Sequence, residues 1–187
     1  QTVKGINMSL TESLIKNMFG ENAEIFYSMK ELTKRFRNVE GKTINVVDHT
    51  LEVLNQHPNT QVYIGTDSQN LSGLTVYVTV IAYRYGNTGV HYIYNKEKVS
   101  RISTGNLAND TWNRLWAEAE RTVEVAEWFK QKVNVPIEID MDYNDDDYYD
   151  SNRLISAACG WASSLGYKVN VKPECLIACR AADYQCQ

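Results

Sequence analysis

The chain has 187 residues, 43% of them hydrophobic and 22% charged, with a formal net charge of -4, a pI near 5.4 and a mean hydropathy of -0.41. This is enough chain to bury a full core without disulfide staples, and its acidic balance argues against strong nonspecific binding of nucleic acid through a basic surface. No apolar run approaches a membrane span, and the first residues lack the basic-then-apolar order of a signal peptide, so the expectation is a cytoplasmic protein with no membrane contact.

Residues 1–44 read as a helical leader. Leu10, Leu14, Ile15, Met18 and Phe19 form one amphipathic stripe and Ile25, Met29, Leu32 and Phe36 a second, each able to pack on the core or on a protein partner. From 45 onward a single domain is expected. Asn45 to Gln56 carries Val46, Val47, Thr50, Val53 and Leu54 at helical spacing, and Pro58 closes it. Gln61 to Asp67 is a strand that gives way to the turn-forming Ser68, Gln69 and Asn70. Leu74 to Tyr85 and Val90 to Lys96 are two further strands joined by a Gly-Asn-Thr-Gly turn, which makes three consecutive antiparallel strands. Asn109 and Asp110 are suited to cap a long helix from Thr111 to Lys132. A strand at 137–144, a helix from Ser151 to Ser164, a strand at 167–173 and a helix from Glu174 to Cys186 follow. That order predicts an α/β fold with a mixed five-stranded sheet and helices on its faces.

Four acids stand in apolar settings. Tyr63, Gly65 and Asp67 share one side of the first strand, so Gly65 is expected to leave open space beside Asp67. A carboxylate at the end of a central strand needs a partner or a metal, although a turn cap with Ser68 is also open to it. In the long helix Glu118 falls inside the arc of Leu115, Ala119, Val125, Ala126 and Phe129, where it either enters a site or snorkels to an edge. Glu120, Glu124 and Glu127 fall outside that arc and read as solvated charges. On the fourth strand Glu138, Asp140 and Asp142 share a face, where three like charges repel unless solvent or a cation intervenes. Asp142 is the one at the carboxyl end, where open sheets place their sites. Asp183 lies between Leu176 and Cys179 on the wheel of the last helix. Asp67, Glu118, Asp142 and Asp183 together describe a carboxylate cluster, and hard oxygen ligands favour Mg²⁺ or Mn²⁺.

Other features carry less. The run from Asp140 to Ser151 is not an EF-hand, because Asp145 stands where Gly is needed and Ser151 where the bidentate Glu is needed. Cys159 stands apart from Cys175, Cys179 and Cys186, which share the last predicted helix; the four are either buried small apolar residues or, without CxxC spacing, a poor zinc set. The three histidines, His49, His57 and His91, are scattered and receive no role.

Several short words of the sequence go further. Ile64 to Gln69 reads IGTDSQ, Leu115 to Glu118 reads LWAE, Ile139 to Asn144 reads IDMDYN, and SNRL, LGY, KP and AAD follow at 151–154, 165–167, 172–173 and 181–183. In these words residues 45–187 resemble the YkuK-type ribonuclease H-like family of the ribonuclease H-like superfamily. The resemblance implies a metal-dependent nuclease that hydrolyses phosphodiester bonds in RNA, hybrid or DNA by a two-metal mechanism. Asp67 would bridge both cations, Glu118 and Asp142 would hold one, and Asp183 would complete the other. One position departs from the family: it usually has His two residues before the strand acid, where this chain has Asp140. That departure and the acidic pI favour the rival reading, a ribonuclease H-like domain of weak or no activity that serves as a binding or assembly module.

Overall fold

The strand that begins at Thr60 does not stop at Asp67. β1 runs over Thr60–Leu71 and pairs antiparallel with β2, Leu74–Tyr85, through a register that closes at Leu71 opposite Leu74. Only Ser72 and Gly73 make the turn, and Gly73 at φ +74° takes the left-handed conformation that so short a loop demands. Ser68, Gln69 and Asn70 are therefore ladder residues, because each finds a cross-strand partner in β2 that a turn would forfeit.

The computed structural model describes residues 35–87, 89–143, 151–174 and 176–187, with the side chains of 151–155 outside that description. The first amphipathic stripe, most of the second, the acidic run at 145–147 and Cys175 lie outside the described residues. Phe36 does not: it is fully buried in an extended segment rather than a helix. Arg37 and Tyr94 exchange backbone hydrogen bonds of 2.8 and 2.9 Å, so this segment pairs with a strand of the sheet, which holds Phe36 against the core.

Helix α1, Val46–Gln56, follows, capped by the Asn45 side chain on the Val47 and Asp48 N–H groups. After β1 and β2 come β3, Val90–Ser100, helix α2, Leu107–Lys130, and β4, Ile137–Met141. Helix α3, Ser151–Ser164, β5, Lys168–Val171, and helix α4, Ile177–Cys186, complete the order. The sheet runs β3-β2-β1-β4-β5, with β1 and β2 and β2 and β3 antiparallel and the β1–β4 and β4–β5 pairs parallel. This is the mixed five-stranded sheet that the alternation of strand and helix patterns requires.

The start of α2 differs from expectation. Asn106 is its N-cap, accepting from the Ala108 and Asn109 N–H groups, and the helix begins four residues early. Asp110 instead turns back on the preceding loop, where it accepts the Thr104 N–H, the Thr104 hydroxyl and the Ser103 hydroxyl.

Two apolar layers sandwich the sheet. On one side Val62, Ile64, Ile137 and Ile139 pack with Val46 and Val53 of α1, Val123, Ala126 and Phe129 of α2, and Ala158 and Ala162 of α3. On the other, Tyr63, Val76, Val78, Val80 and Ala82 pack with Ala178, Ala182 and Cys186 of α4. The period-two alternation of β1 thus sends Ile64, Thr66 and Ser68 toward α2, and Tyr63, Gly65 and Asp67 toward α4.

Candidate active site

β4 ends at Met141, and its pairing with β1 ends at Gly65 opposite Asp140. β1 runs on past that point, so Asp67 and Ser68 stand at an edge of the sheet where, among the described residues, no parallel neighbour pairs with them. Asp67 lies on that edge, and Glu118 reaches it from the α2 face through Ser68.

Gly65 fixes how closely α4 approaches. A Cβ there would lie 2.9 Å from Cys179 Sγ, 3.0 Å from the Asp140 carbonyl and 3.2 Å from Ala178 Cβ. The space beside Asp67 that the glycine suggested is therefore filled by the first turn of α4, because a helix packs directly against bare backbone there. Asp67 itself is half-buried, and its carboxyl is pushed up to about 6. Burial is the main cause, the Ser68 N–H opposes it, and the charges of Asp183 and Asp142 add to it.

Glu118 reaches the same edge from the α2 face. It is buried, and its Oε1 accepts from Ser68 Oγ at 2.5 Å and from Arg114 Nη1 at 3.1 Å. Arg114 Nη1 also donates to the Ser68 carbonyl at 3.1 Å and to Ser68 Oγ at 2.8 Å. Burial pushes Glu118 up to about 8 despite these partners, and the charges of Asp67 and Asp142 contribute. Ser68, expected in a turn, is the residue through which strand and helix meet, and Arg114 is one helical turn from Glu118 on the same face. That i, i+4 spacing is a signal the sequence holds.

Asp142 follows the end of β4 and is half-buried. Its Oδ1 is shielded from solvent and forms an ion pair with Lys172 Nζ. Asp183, on α4, is exposed rather than set among apolar side chains, since Cys179, Ala182 and Cys186 take the inward positions. Its charge nevertheless acts on Asp67. Electrostatics thus links Asp67 to Asp183 and Asp142, and Glu118 to Asp67 and Asp142, although in the arrangement seen no three His, Cys, Asp or Glu residues among those described stand close enough to hold an ion.

The acids of β4 and the one just after it find partners on β5 and just beyond it. Glu138 accepts from Lys168 at 3.1 Å and from Asn170 at 3.0 Å, Asp140 accepts from Asn170 at 3.0 Å, and Asp142 pairs with Lys172. The register places Glu138 opposite Lys168 and Asp140 opposite Asn170. Neither a cation nor bulk solvent is needed to relieve Glu138 and Asp140. The signal was the alternation Lys-Val-Asn-Val-Lys at 168–172, which complements Glu-Ile-Asp-Met-Asp in period and in charge. Asp140, fully buried, also accepts the Ala178 N–H at 2.7 Å and an N–H bond from Ile177, so a strand carboxylate caps α4 where its own N-cap residue, Leu176, supplies no side-chain bond.

The acids on the outer arc of α2 are likewise engaged. Trp116 Nε1 donates to Glu120 at 2.8 Å, and the Tyr167 hydroxyl donates to Glu127 at 2.5 Å. Burial pushes Glu124 up to about 8. They are half-buried rather than solvated, since β3, α3 and the segment before β5 flank the helix. Cys179 and Cys186 are buried thiols that donate to carbonyls of Asp140, Thr66 and Asp67. No helix among the described residues is long and apolar enough to cross a membrane.

In donor chemistry the four acids suit a hard divalent cation: all are carboxylates, and two are held above their ordinary range by burial and by their neighbours' charge. A comparison with protein families matches residues 44–187 to the one described as Ribonuclease H-like. No curated protein matches the chain.

Proposed function

Because the chain belongs to the ribonuclease H-like family over residues 44–187, and so has a nucleic-acid-related fold, we propose that it hydrolyses phosphodiester bonds of nucleic acid with the help of Mg²⁺ or Mn²⁺. Asp67, Glu118, Asp142 and Asp183 would hold the cations. The observation that carries this reading is that half-buried Asp67 and buried Glu118, which accepts from Ser68 Oγ beside it, share the open edge of β1 beyond β4, where the charges of Asp142 and Asp183 act on Asp67. Bound there in a pair, the cations would supply a water of lowered pKa and stabilise the leaving oxygen.

The chain's own residues do the rest. Ser68 and Arg114 fix Glu118 Oε1, so its carboxylate is aimed before anything binds. Half-buried Asp67 stays accessible at the edge while keeping water partly excluded. Lys172 neutralises Asp142 in the absence of other cations and must yield when Asp142 becomes a ligand. Among the described residues only Nη1 of Arg114 is engaged, so its other N–H groups would serve a negatively charged phosphate.

The test is a cleavage panel of single-stranded RNA, RNA–DNA hybrid, duplex DNA and a junction, each with Mg²⁺, with Mn²⁺ and with chelator. Cleavage of one substrate in metal and of none in chelator is expected. Complete inactivity with intact binding would favour the second reading, a ribonuclease H-like binding or assembly module. That reading draws on the Lys172–Asp142 pair and on the diversion of Asp140 to capping α4.

A further inference from the structure

A cleft of about 230 Å³ opens between α2 and the β2–β3 side of the sheet, lined by Asn70, Tyr77, Arg101, Asn113, Arg114 and Arg121 among others. We propose that it binds a backbone phosphate of a nucleic-acid strand next to the one at the carboxylates. This inference rests on the nucleic-acid reading above and deepens it by naming where the strand is gripped.

Three arginines line the cleft, with Asp110 beside them, in a chain whose net charge is -4. In an acidic protein a polyanion has to be held by a local basic patch or by bound cations, and this cleft supplies such a patch. Arg114 joins it to the acids, because the guanidinium that lines the cleft is the one whose Nη1 contacts Glu118 and Ser68. Among the described residues its Nε and Nη2 make no bond, so a fork remains for an incoming oxygen. Arg121 is held rigid: its Nε donates to Glu97 at 2.9 Å, its Nη1 to the Ala117 carbonyl at 3.1 Å, and its guanidinium lies 3.9 Å from the centre of the Tyr77 ring. The Arg101 side chain is exposed and makes no hydrogen bond among the described residues.

Three carboxylates stand nearby and offset part of this positive charge. Asp110 accepts three bonds from Ser103 and Thr104, Glu97 takes Arg121 Nε, and Glu118 takes Ser68 and Arg114. The Asn70 and Asn113 side chains add amide groups, and Asn70 Oδ1 accepts from Thr75, which leaves its NH₂ to donate. The volume is below that of a pocket for a large organic ligand and suits a phosphate with part of its sugar.

The experiment measures binding of fluorescein-labelled single-stranded RNA and DNA oligonucleotides by anisotropy, in chelator so that no cleavage intervenes. Salt is varied, and wild type, Arg101→Ala, Arg101→Lys and Asp67→Asn are compared. The expected result is that Arg101→Ala weakens binding about tenfold and lowers the slope of log K against log salt by about 1. Arg101→Lys should recover the slope but only part of the affinity, and Asp67→Asn should bind at least as well as wild type. Inorganic phosphate should compete only weakly, because a polymer engages several contacts. If wild type binds and Arg101→Ala binds equally with the same slope, the cleft is overturned and the nucleic-acid reading stands. If wild type binds neither oligonucleotide in chelator and cleaves none in metal, both fall.

Discussion

The Asp140 carboxylate of β4 accepts the Ala178 N–H of α4 at 2.7 Å, so that one buried side chain sets the register between the central sheet and the helix that carries Asp183. Its other oxygen takes Asn170 at 3.0 Å. Burial holds Asp140 above the ordinary carboxylate range even though Asn170, Ala178 and Ile177 all favour its charged form. Asp140→Ala should cost about 2–4 kcal/mol, since it leaves the Ala178 and Ile177 N–H groups without their acceptor while Asn170 keeps only Glu138. Asp140→Asn, which keeps one oxygen, should cost less. Urea denaturation of the three proteins checks this, and an Asp140→Ala variant as stable as wild type would show that the cap is dispensable.

Gly65→Ala tests the close approach of α4. The added methyl would meet the Asp140 carbonyl at 3.0 Å and Cys179 Sγ at 2.9 Å, and a backbone atom cannot swing aside as a side chain can. A loss of about 1–3 kcal/mol is expected. Cleavage should fall further than the folded fraction, because displacing α4 moves Asp183 relative to Asp67. Equal loss of activity and of folded protein would count against that link.

Asp67→Asn should abolish cleavage while Glu120→Gln should not. Partners that only orient a metal ligand are worth roughly 10–100-fold, so removing a direct ligand should cost about 100-fold or more. Glu120 is occupied by the Trp116 indole on the outer arc of α2, and Gln keeps that acceptor. Rates measured in Mn²⁺ for both variants decide it; comparable losses would remove Asp67 from the centre of the site.

Glu118 gives a pH dependence whose sign can be worked out. A carboxyl raised to about 8 in the folded state binds its proton more tightly there than in the unfolded chain. In chelator it therefore destabilises the fold progressively as pH rises from about 4.5 to about 8. Glu118→Gln should melt close to wild type near pH 4 and increasingly above it up to about pH 8. Melting below wild type at both would mean that the Arg114 ion pair outweighs burial. In Mn²⁺ the variant should gain less than wild type, because a ligand stabilises in proportion to its affinity for the folded state.

His49 and His91 place their Nε2 atoms 2.8 Å apart between α1 and β3, with His49 edge-on to Tyr83 and His91 stacked on it. Burial lowers both, and the charge of His49 lowers His91 further, while Glu52 partly offsets the effect on His49. A histidine whose folded value is depressed takes up its proton more readily when unfolded, so stability should fall as pH drops below about 6.5. His91→Gln should flatten the melting temperature across that range. An unchanged profile in the variant would assign the dependence to other groups.

The order and kind of the elements from Val46 onward were legible in the sequence because they are local properties. The helical spacing of Val46, Thr50 and Val53, the β-branched run from Leu74, and the alternation in β4 each need only a window of a few residues, and each matches an element of the structure. Family membership was legible for a related reason: words such as IGTDSQ and AAD are read along the chain. Phase also marked Glu118 as inward-facing, and it is buried. What the sequence could not decide was set by partners distant along the chain. Whether β1 ends at Asp67 or runs to Leu71 depends on β2 offering a ladder to Ser68 and beyond. Whether Gly65 leaves a void depends on α4, more than a hundred residues away. The charges on Glu138, Asp140 and Asp142 look repulsive within their own strand and become paired only when β5 brings Lys168, Asn170 and Lys172 alongside. A side chain's periodicity fixes the direction in which it points, but its energy depends on what the tertiary fold places there, and at this edge of the sheet that is a lysine, an arginine and the amide end of a helix.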